Sequence, residues 1–185
     1  METGDSPDTA DRIYRRFIRS RHVDGVVILS SVVEDPIVDR LKDDRFPFVL
    51  IGRHPHHAVN FVDIDNRAAA RDAVLHLLEH GYRRIGMVNG PPNMIASIDR
   101  YAGYVNAMQE AGRMPDAALT VHSDFTRRGG DRSRQSILEA NSSPPDAMFV
   151  ASDTMASGVM QALRDFGLRV PEDVAVMGFD GLDET

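Results

Sequence analysis

The sequence has no cysteine, which removes disulfides, thiolate nucleophiles and zinc–thiolate sites together. It has no apolar run near the roughly 20 residues a membrane-crossing helix needs, so no span is predicted. Residues 1–11 are polar and acidic where a secretory leader is basic and then apolar, and the chain is expected to stay in the cytoplasm. Lysine is nearly missing: Lys42 stands alone among 21 lysines and arginines, which we read as codon usage. A glycine-rich phosphate loop, a nucleophile elbow and a histidine spaced with carboxylates for a metal are all absent. These gaps argue against an enzyme and predict no catalytic residue, no cofactor and no metal. The net charge of −7 argues against this chain gripping nucleic acid by itself, because such binding rests largely on Lys and Arg neutralising phosphates.

What is present suits a soluble domain. The 185 residues are 42% hydrophobic and 26% charged, enough for one domain or two small lobes. Helical periodicity over 9–22 places Ile13, Tyr14, Phe17 and Ile18 on one side and Arg12, Arg15, Arg16 and Arg19 on the other. The next run, 23–29, is short, apolar and β-branched, and predicts a strand covered on both faces. Alternation continues with a helix near 36–44, a strand at 48–51, an extended run at 60–64, and a helix over 66–80 capped by Gly81. Strands follow at 84–89, 118–122, 147–151 and 174–179. Helices follow at 100–111, ended by Gly112, at 130–140, and at 154–166, ended by Gly167. Pro144-Pro145 reads as a turn before a strand.

Such alternation predicts an α/β fold with parallel sheets and helices on both faces. Ligands of such sheets sit outside the carboxyl ends of the strands, which directs attention to Ser30, Ser31, Gly52, Arg53, Asp65, residues 89–92, Ser152, Asp153 and Asp180. The chain opens on a helix with no strand before it and stops just after a strand. An exposed edge or oligomerisation is expected at both places.

Six segments then fall into a known pattern: Val23-Asp24-Gly25-Val26-Val27, Val62-Asp63-Ile64-Asp65-Asn66, His80-Gly81-Tyr82-Arg83-Arg84-Ile85, Arg100-Tyr101-Ala102-Gly103-Tyr104, Ser152-Asp153-Thr154-Met155-Ala156-Ser157-Gly158, and residues 170–180, VPEDVAVMGFD. In order and spacing they resemble the effector-binding domain of the lac repressor and galactose repressor family, whose fold is shared with periplasmic sugar-binding proteins. The resemblance covers nearly the whole chain. It implies a two-lobed, periplasmic-binding-protein-like fold with residues 1–65 in a partial N-terminal lobe and 66–185 in the C-terminal lobe. Against the family pattern the helix-turn-helix, its hinge, the first strand and helix of the N-terminal lobe and the last segment are absent from this chain. The implied function is that of a repressor's sensing domain: a small effector of the sugar type binds between the lobes of a homodimer and alters DNA affinity. Operator DNA is then contacted only through the missing N-terminal domain.

The resemblance also suggests site residues, each with a plainer alternative. Arg100 occupies the Arg-x-x-Gly position, where a guanidinium fork holds two adjacent ligand oxygens; alternatively it is a first-turn surface arginine. Asp180 is placed to accept from sugar hydroxyls, or is a turn aspartate before Gly181. Phe125 corresponds to an aromatic that stacks on the ligand, or packs beneath a loop. Ser152 stands where relatives often carry Asn and offers a shorter-reaching hydroxyl. Asp153 is read as the N-cap of a helix starting at Thr154. Arg53, Ser30 and Asn89 are weaker candidates at strand ends. The run His54-Pro55-His56-His57 is broken by proline and reads as a solvated loop rather than a metal site.

Two other readings stay open. A solute-binding protein of a transporter uses the same cleft and predicts an upstream signal peptide and a monomer. An enzyme would require turnover of a bound sugar. If the site is right, Arg100→Ala and Asp180→Ala are each expected to abolish effector-induced stabilisation while leaving the fold intact.

Overall fold

The computed structural model describes residues 12, 14–19, 23–29, 32–56, 58–139 and 143–182. The chain divides into two compact units, Met1–Ile64 and Asp65–Thr185. Ser30, Ser31, His57 and the side chain of Phe17 lie outside the described residues.

In the first unit, β1 (Val26–Leu29), β2 (Phe48–Ile51) and β3 (Phe61–Val62) form a parallel sheet in that order. Helix α1 (Pro36–Asp43) begins on an Asp35 N-cap whose carboxylate accepts from the Ile37 amide at 2.9 Å, with Pro36 pre-set for the first turn. Of the helix expected over 9–22, Tyr14–Arg19 is described, wound as a π-helix. Tyr14 and Ile18 bury against Leu41, and the Tyr14 hydroxyl donates to Asp44.

The expectation that 23–29 is covered on both faces fails. Successive strand side chains point to opposite faces. Val26 and Ile28 pack on the Tyr14, Ile18 and Leu41 cluster, whereas Val27 and Leu29 are 61% and 62% exposed. Ile51 and Val62, in register with Leu29 on the same face, are exposed as well, so this small sheet presents an apolar face to solvent.

The second unit is built on a parallel sheet of β4 (Ile85–Asn89), β5 (Thr120–His122), β6 (Ala147–Val150) and β7 (Ala175–Met177), in the order β5-β4-β6-β7. β4 and β6 are buried along their whole length, as continuous apolar runs in a doubly covered sheet should be. Helix α2 (Asn66–Glu79) packs on α3 (Ile95–Glu110), and α4 (Arg127–Arg134) on α5 (Asp153–Asp165). The Asp146 carboxylate accepts from the Arg83 and Arg84 amides at 2.7 and 2.8 Å, which ties the start of β6 to that of β4.

Two of the motif glycines are there for helix contact. A Cβ on Gly103 would lie 2.3 Å from the Arg67 carbonyl oxygen, and one on Gly158 would lie 2.0 Å from that of Arg127. Only hydrogen at these positions lets the helix pairs approach so closely.

Several boundaries move. The helix expected from Arg100 starts a turn and a half earlier, at Ile95, so Arg100 lies inside it and on its buried face. The helix expected over 130–140 runs as α4 from Arg127 and continues as a short π turn, Gln135–Glu139. The predicted cap glycines at 81, 112 and 167 all take positive φ, +93°, +69° and +75°.

Candidate ligand site at the strand ends

The strand order places the reversal of winding between β4 and β6. Chain leaving β4 goes to the β5 side, whereas chain leaving β6 goes to the β7 side, which opens a crevice at their carboxyl ends. Residues following these strands meet there.

Arg100 is the centre of that meeting, and it is buried. Its Nε donates to Asn66 Oδ1 at 2.8 Å, and Nη1 donates to the Ala151 carbonyl at 2.5 Å. The same Nη1 lies 3.5 Å from Asp180 Oδ1. The guanidinium carbon is 3.9 Å from the Phe179 ring centroid and 6.0 Å from that of Phe125. One cation therefore joins the start of α2, the end of β6 and the turn after β7. Both ordinary costs of burying it, desolvation and unmade hydrogen bonds, are offset by paired acceptors and an aromatic face.

Asp180 supplies the opposing charge with a side chain 35% exposed. Burial pushes its carboxyl above the ordinary aspartate range; Arg100 pulls it back and nearby Asp153 pushes it further up. Its φ of +107° turns the chain sharply there. Phe125 also sits in the left-handed region, at φ +60°, and its ring edge lies against Gly90: a Cβ on that glycine would be 2.1 Å from the ring.

Asn89 closes β4 and is buried. Its Nδ2 donates to the Ser97 carbonyl at 3.0 Å, holding the first turn of α3, while Asn89 Oδ1 and Ser97 Oγ have no hydrogen-bond partner among the described residues. Ser97 carries no signal in the sequence pattern, since a lone serine in a helix's first turn is commonplace.

The periplasmic binding protein-like domain family matches residues 74–185. The chain belongs to this family, and its solved neighbours include LacI-family regulators. The transcriptional regulator CelR of Thermobifida fusca is 40% identical over 167 residues, 89% of this chain and 49% of that protein. The transcriptional repressor CytR of Escherichia coli K12 is 35% identical over 178 residues, 95% of this chain and 51% of that one. The chain thus spans about half the length of the curated relatives it matches. Among solved structures, a complex of CelR with cellobiose superposes with a TM-score of 0.87 at 38% identity, covering 94% of this chain and 53% of that one. A putative LacI transcriptional regulator from Bacillus cereus subsp. cytotoxis NVH 391-98 gives 0.91 at 29% identity, covering 98% and 65%.

Of the positions to which the LacI-type pattern points, Arg100, Asp180 and Phe125 come together around one guanidinium, and Asn89 lies at the adjacent strand end. Ser152 follows β6 beside Ala151, but its hydroxyl accepts from the Met155 amide at 3.2 Å as the N-cap of α5. This corrects the assignment of the cap to Asp153. The helix starts one residue earlier than expected, so Asp153 is its first residue, and its carboxylate accepts instead from the Leu182 amide at 2.7 Å. Arg53 belongs to the other unit, where its Nη1 pairs with Asp63 at 3.2 Å. His54 and His56 share a loop, the His56 amide donating to His54 Nδ1 at 3.2 Å. No group of three potential metal ligands converges among the described residues.

A separate groove of about 370 Å³ lies beside β5 and α4, lined in part by Pro91, His122, Ser123, Asp124 and Arg132. Arg132 pairs with Asp124 at 2.6 Å. Thr126, from its own loop, donates to the same carboxylate at 2.6 Å. This charge set is satisfied by itself, and the groove touches none of Arg100, Asp180 or Phe125. Among the described residues no helix is long and apolar enough to cross a membrane.

Proposed function

We propose that this chain is the effector-sensing part of a bacterial transcriptional regulator and that its effector is a sugar held at the carboxyl ends of β4, β6 and β7. The observation that carries this is the buried Arg100 guanidinium set against the half-exposed Asp180 carboxylate, 3.5 Å apart and flanked by Phe179. A sugar presents hydroxyls that both donate and accept together with an apolar ring face. A carboxylate acceptor, a guanidinium donor and adjacent aromatics answer all three. The CelR relative, whose solved structure holds cellobiose, supports the choice of ligand class.

In this reading Arg100, Asp180, Phe125 and Asn89 contact the effector, and Ser152 mainly caps α5. The chain is a binding domain and not an enzyme. It works in the cytoplasm as a homodimer, with operator DNA gripped by a domain outside this chain. Effector binding changes DNA affinity by favouring one of two arrangements of the intact regulator, as linkage requires.

The test is calorimetric titration of the chain with cellobiose, D-glucose and D-ribose. At least one should bind, and Asp180→Asn should weaken it tenfold or more, since hydrogen bonds to a charged group are worth about 1.5–3 kcal/mol. No binding by any of them, or an unchanged affinity in the variant, would overturn the assignment. The transporter alternative is decided by the coding DNA just upstream of Met1. An in-frame helix-turn-helix is expected there, and an in-frame signal peptide would reverse the reading.

A further inference from the structure

Two polar atoms at the end of β4 are left over from the network just described. The Asn89 amide is oriented without ambiguity, because its Nδ2 faces a carbonyl, that of Ser97, at 3.0 Å. Its Oδ1 must therefore face away from that bond. Neither Asn89 Oδ1 nor Ser97 Oγ has a hydrogen-bond partner among the described residues, and both are buried. An unmade hydrogen bond of this kind costs about 1–3 kcal/mol, so two in neighbouring residues of a well-packed unit call for a use.

Their chemistry is complementary in a specific way. Asn89 Oδ1 only accepts, whereas the Ser97 hydroxyl both donates and accepts. A single hydroxyl satisfies both atoms at once, donating to the amide oxygen and accepting from the serine. What lies beside the serine hydroxyl is equally specific. The Phe125 ring lies on Gly90, where a Cβ would be 2.1 Å from the ring and 2.5 Å from Ser97 Oγ. Glycine at 90 is what lets ring and hydroxyl crowd the same spot. Phe125 holds this position from a loop between β5 and α4 at φ +60°, a conformation unfavourable for a bulky residue. The group beside the Ser97 hydroxyl is thus a partly buried side chain on a strained backbone.

We propose that Asn89 Oδ1 and Ser97 Oγ form a subsite for one effector hydroxyl, opened when the Phe125 ring moves off Gly90. The proposal rests on the sugar-effector reading above and deepens it, giving Ser97 a role in specificity and Phe125 a second role beyond stacking. A ligand lacking a hydroxyl at the matching position leaves both atoms unpaired and is rejected.

The experiment combines structures of the wild-type chain and Ser97→Ala, each solved with glycerol, and cellobiose titrations of both. In the wild type a glycerol hydroxyl is expected within hydrogen-bond distance of both Asn89 Oδ1 and Ser97 Oγ, with Phe125 displaced; in Ser97→Ala it is lost and cellobiose binds about tenfold more weakly. The proposal is overturned if Phe125 stays on Gly90 with Ser97 bonded directly to Asn89, or if Ser97→Ala leaves cellobiose affinity unchanged. A failed subsite is told apart from a failed effector site by Asp180→Asn, which tests the latter alone. If the wild type binds no cellobiose, or Ser97→Ala does not fold, the wild-type glycerol structure decides.

Discussion

Replacing Arg100 by alanine should damage the fold as well as the site, which corrects the expectation that Arg100→Ala leaves the fold intact. The side chain donates to Asn66 Oδ1 and to the Ala151 carbonyl, and both acceptor residues are buried. Truncation deletes both hydrogen bonds to buried acceptors, at about 1–3 kcal/mol each, and removes a desolvated guanidinium from the Phe179 face, worth about 2 kcal/mol. The sum is about 4 kcal/mol or more, a large share of the stability of an ordinary domain. Urea unfolding followed by circular dichroism should show the midpoint falling with the slope unchanged. Arg100→Lys, which can still reach one acceptor, should lose about half as much. A loss below about 1 kcal/mol for Arg100→Ala would refute the view that these hydrogen bonds hold the second unit together, and would return Arg100 to the role of a ligand contact alone.

Gly103→Ala forces a methyl to 2.3 Å from the Arg67 carbonyl oxygen and should cost about 1–3 kcal/mol through displacement of α2 from α3, read as a lowered Tm; an unchanged Tm would mean that the helices part freely. Ser152→Ala should cost about 1 kcal/mol by uncapping α5, and Asp153→Ala should leave that cap in place, so the reverse order of effects would contradict the capping assignment. The Asp180 carboxyl, raised by burial, should titrate by carbon NMR above the ordinary aspartate value of about 4. A carboxyl raised on folding binds its proton more tightly in the native state. Its contribution is present at low pH and is lost as pH rises through the folded value. A midpoint below about 4 would show that Arg100 and not burial governs it.

Much of the second unit was legible because its signals are local. The apolar runs at 84–89 and 147–151 became the buried centre of the sheet, and Gly81, Gly112 and Gly167 fell at positive φ just past their helices. The first unit read less well. Strand β1 is uniformly apolar in sequence, yet only Val26 and Ile28 find cover, since a strand's own residues cannot say whether a second layer lies over them. The cap of α5 was misplaced by one residue because Ser152 and Asp153 are both good N-caps, and only the backbone decides which of them stands outside the helix.

By itself, then, the sequence determined the order of strands and helices, the turns that end them, and the identity of Arg100, Asp180 and Phe125 as residues to watch, because periodicity, capping and motif spacing are written in neighbours along the chain. The tertiary structure alone decided what Arg100 holds, with partners 34 and 51 residues away in Asn66 and Ala151. It alone left Asn89 Oδ1 and Ser97 Oγ without a hydrogen-bond partner among the described residues. Hydrogen-bond satisfaction is a property of atoms brought together from distant segments, and no local pattern carries it.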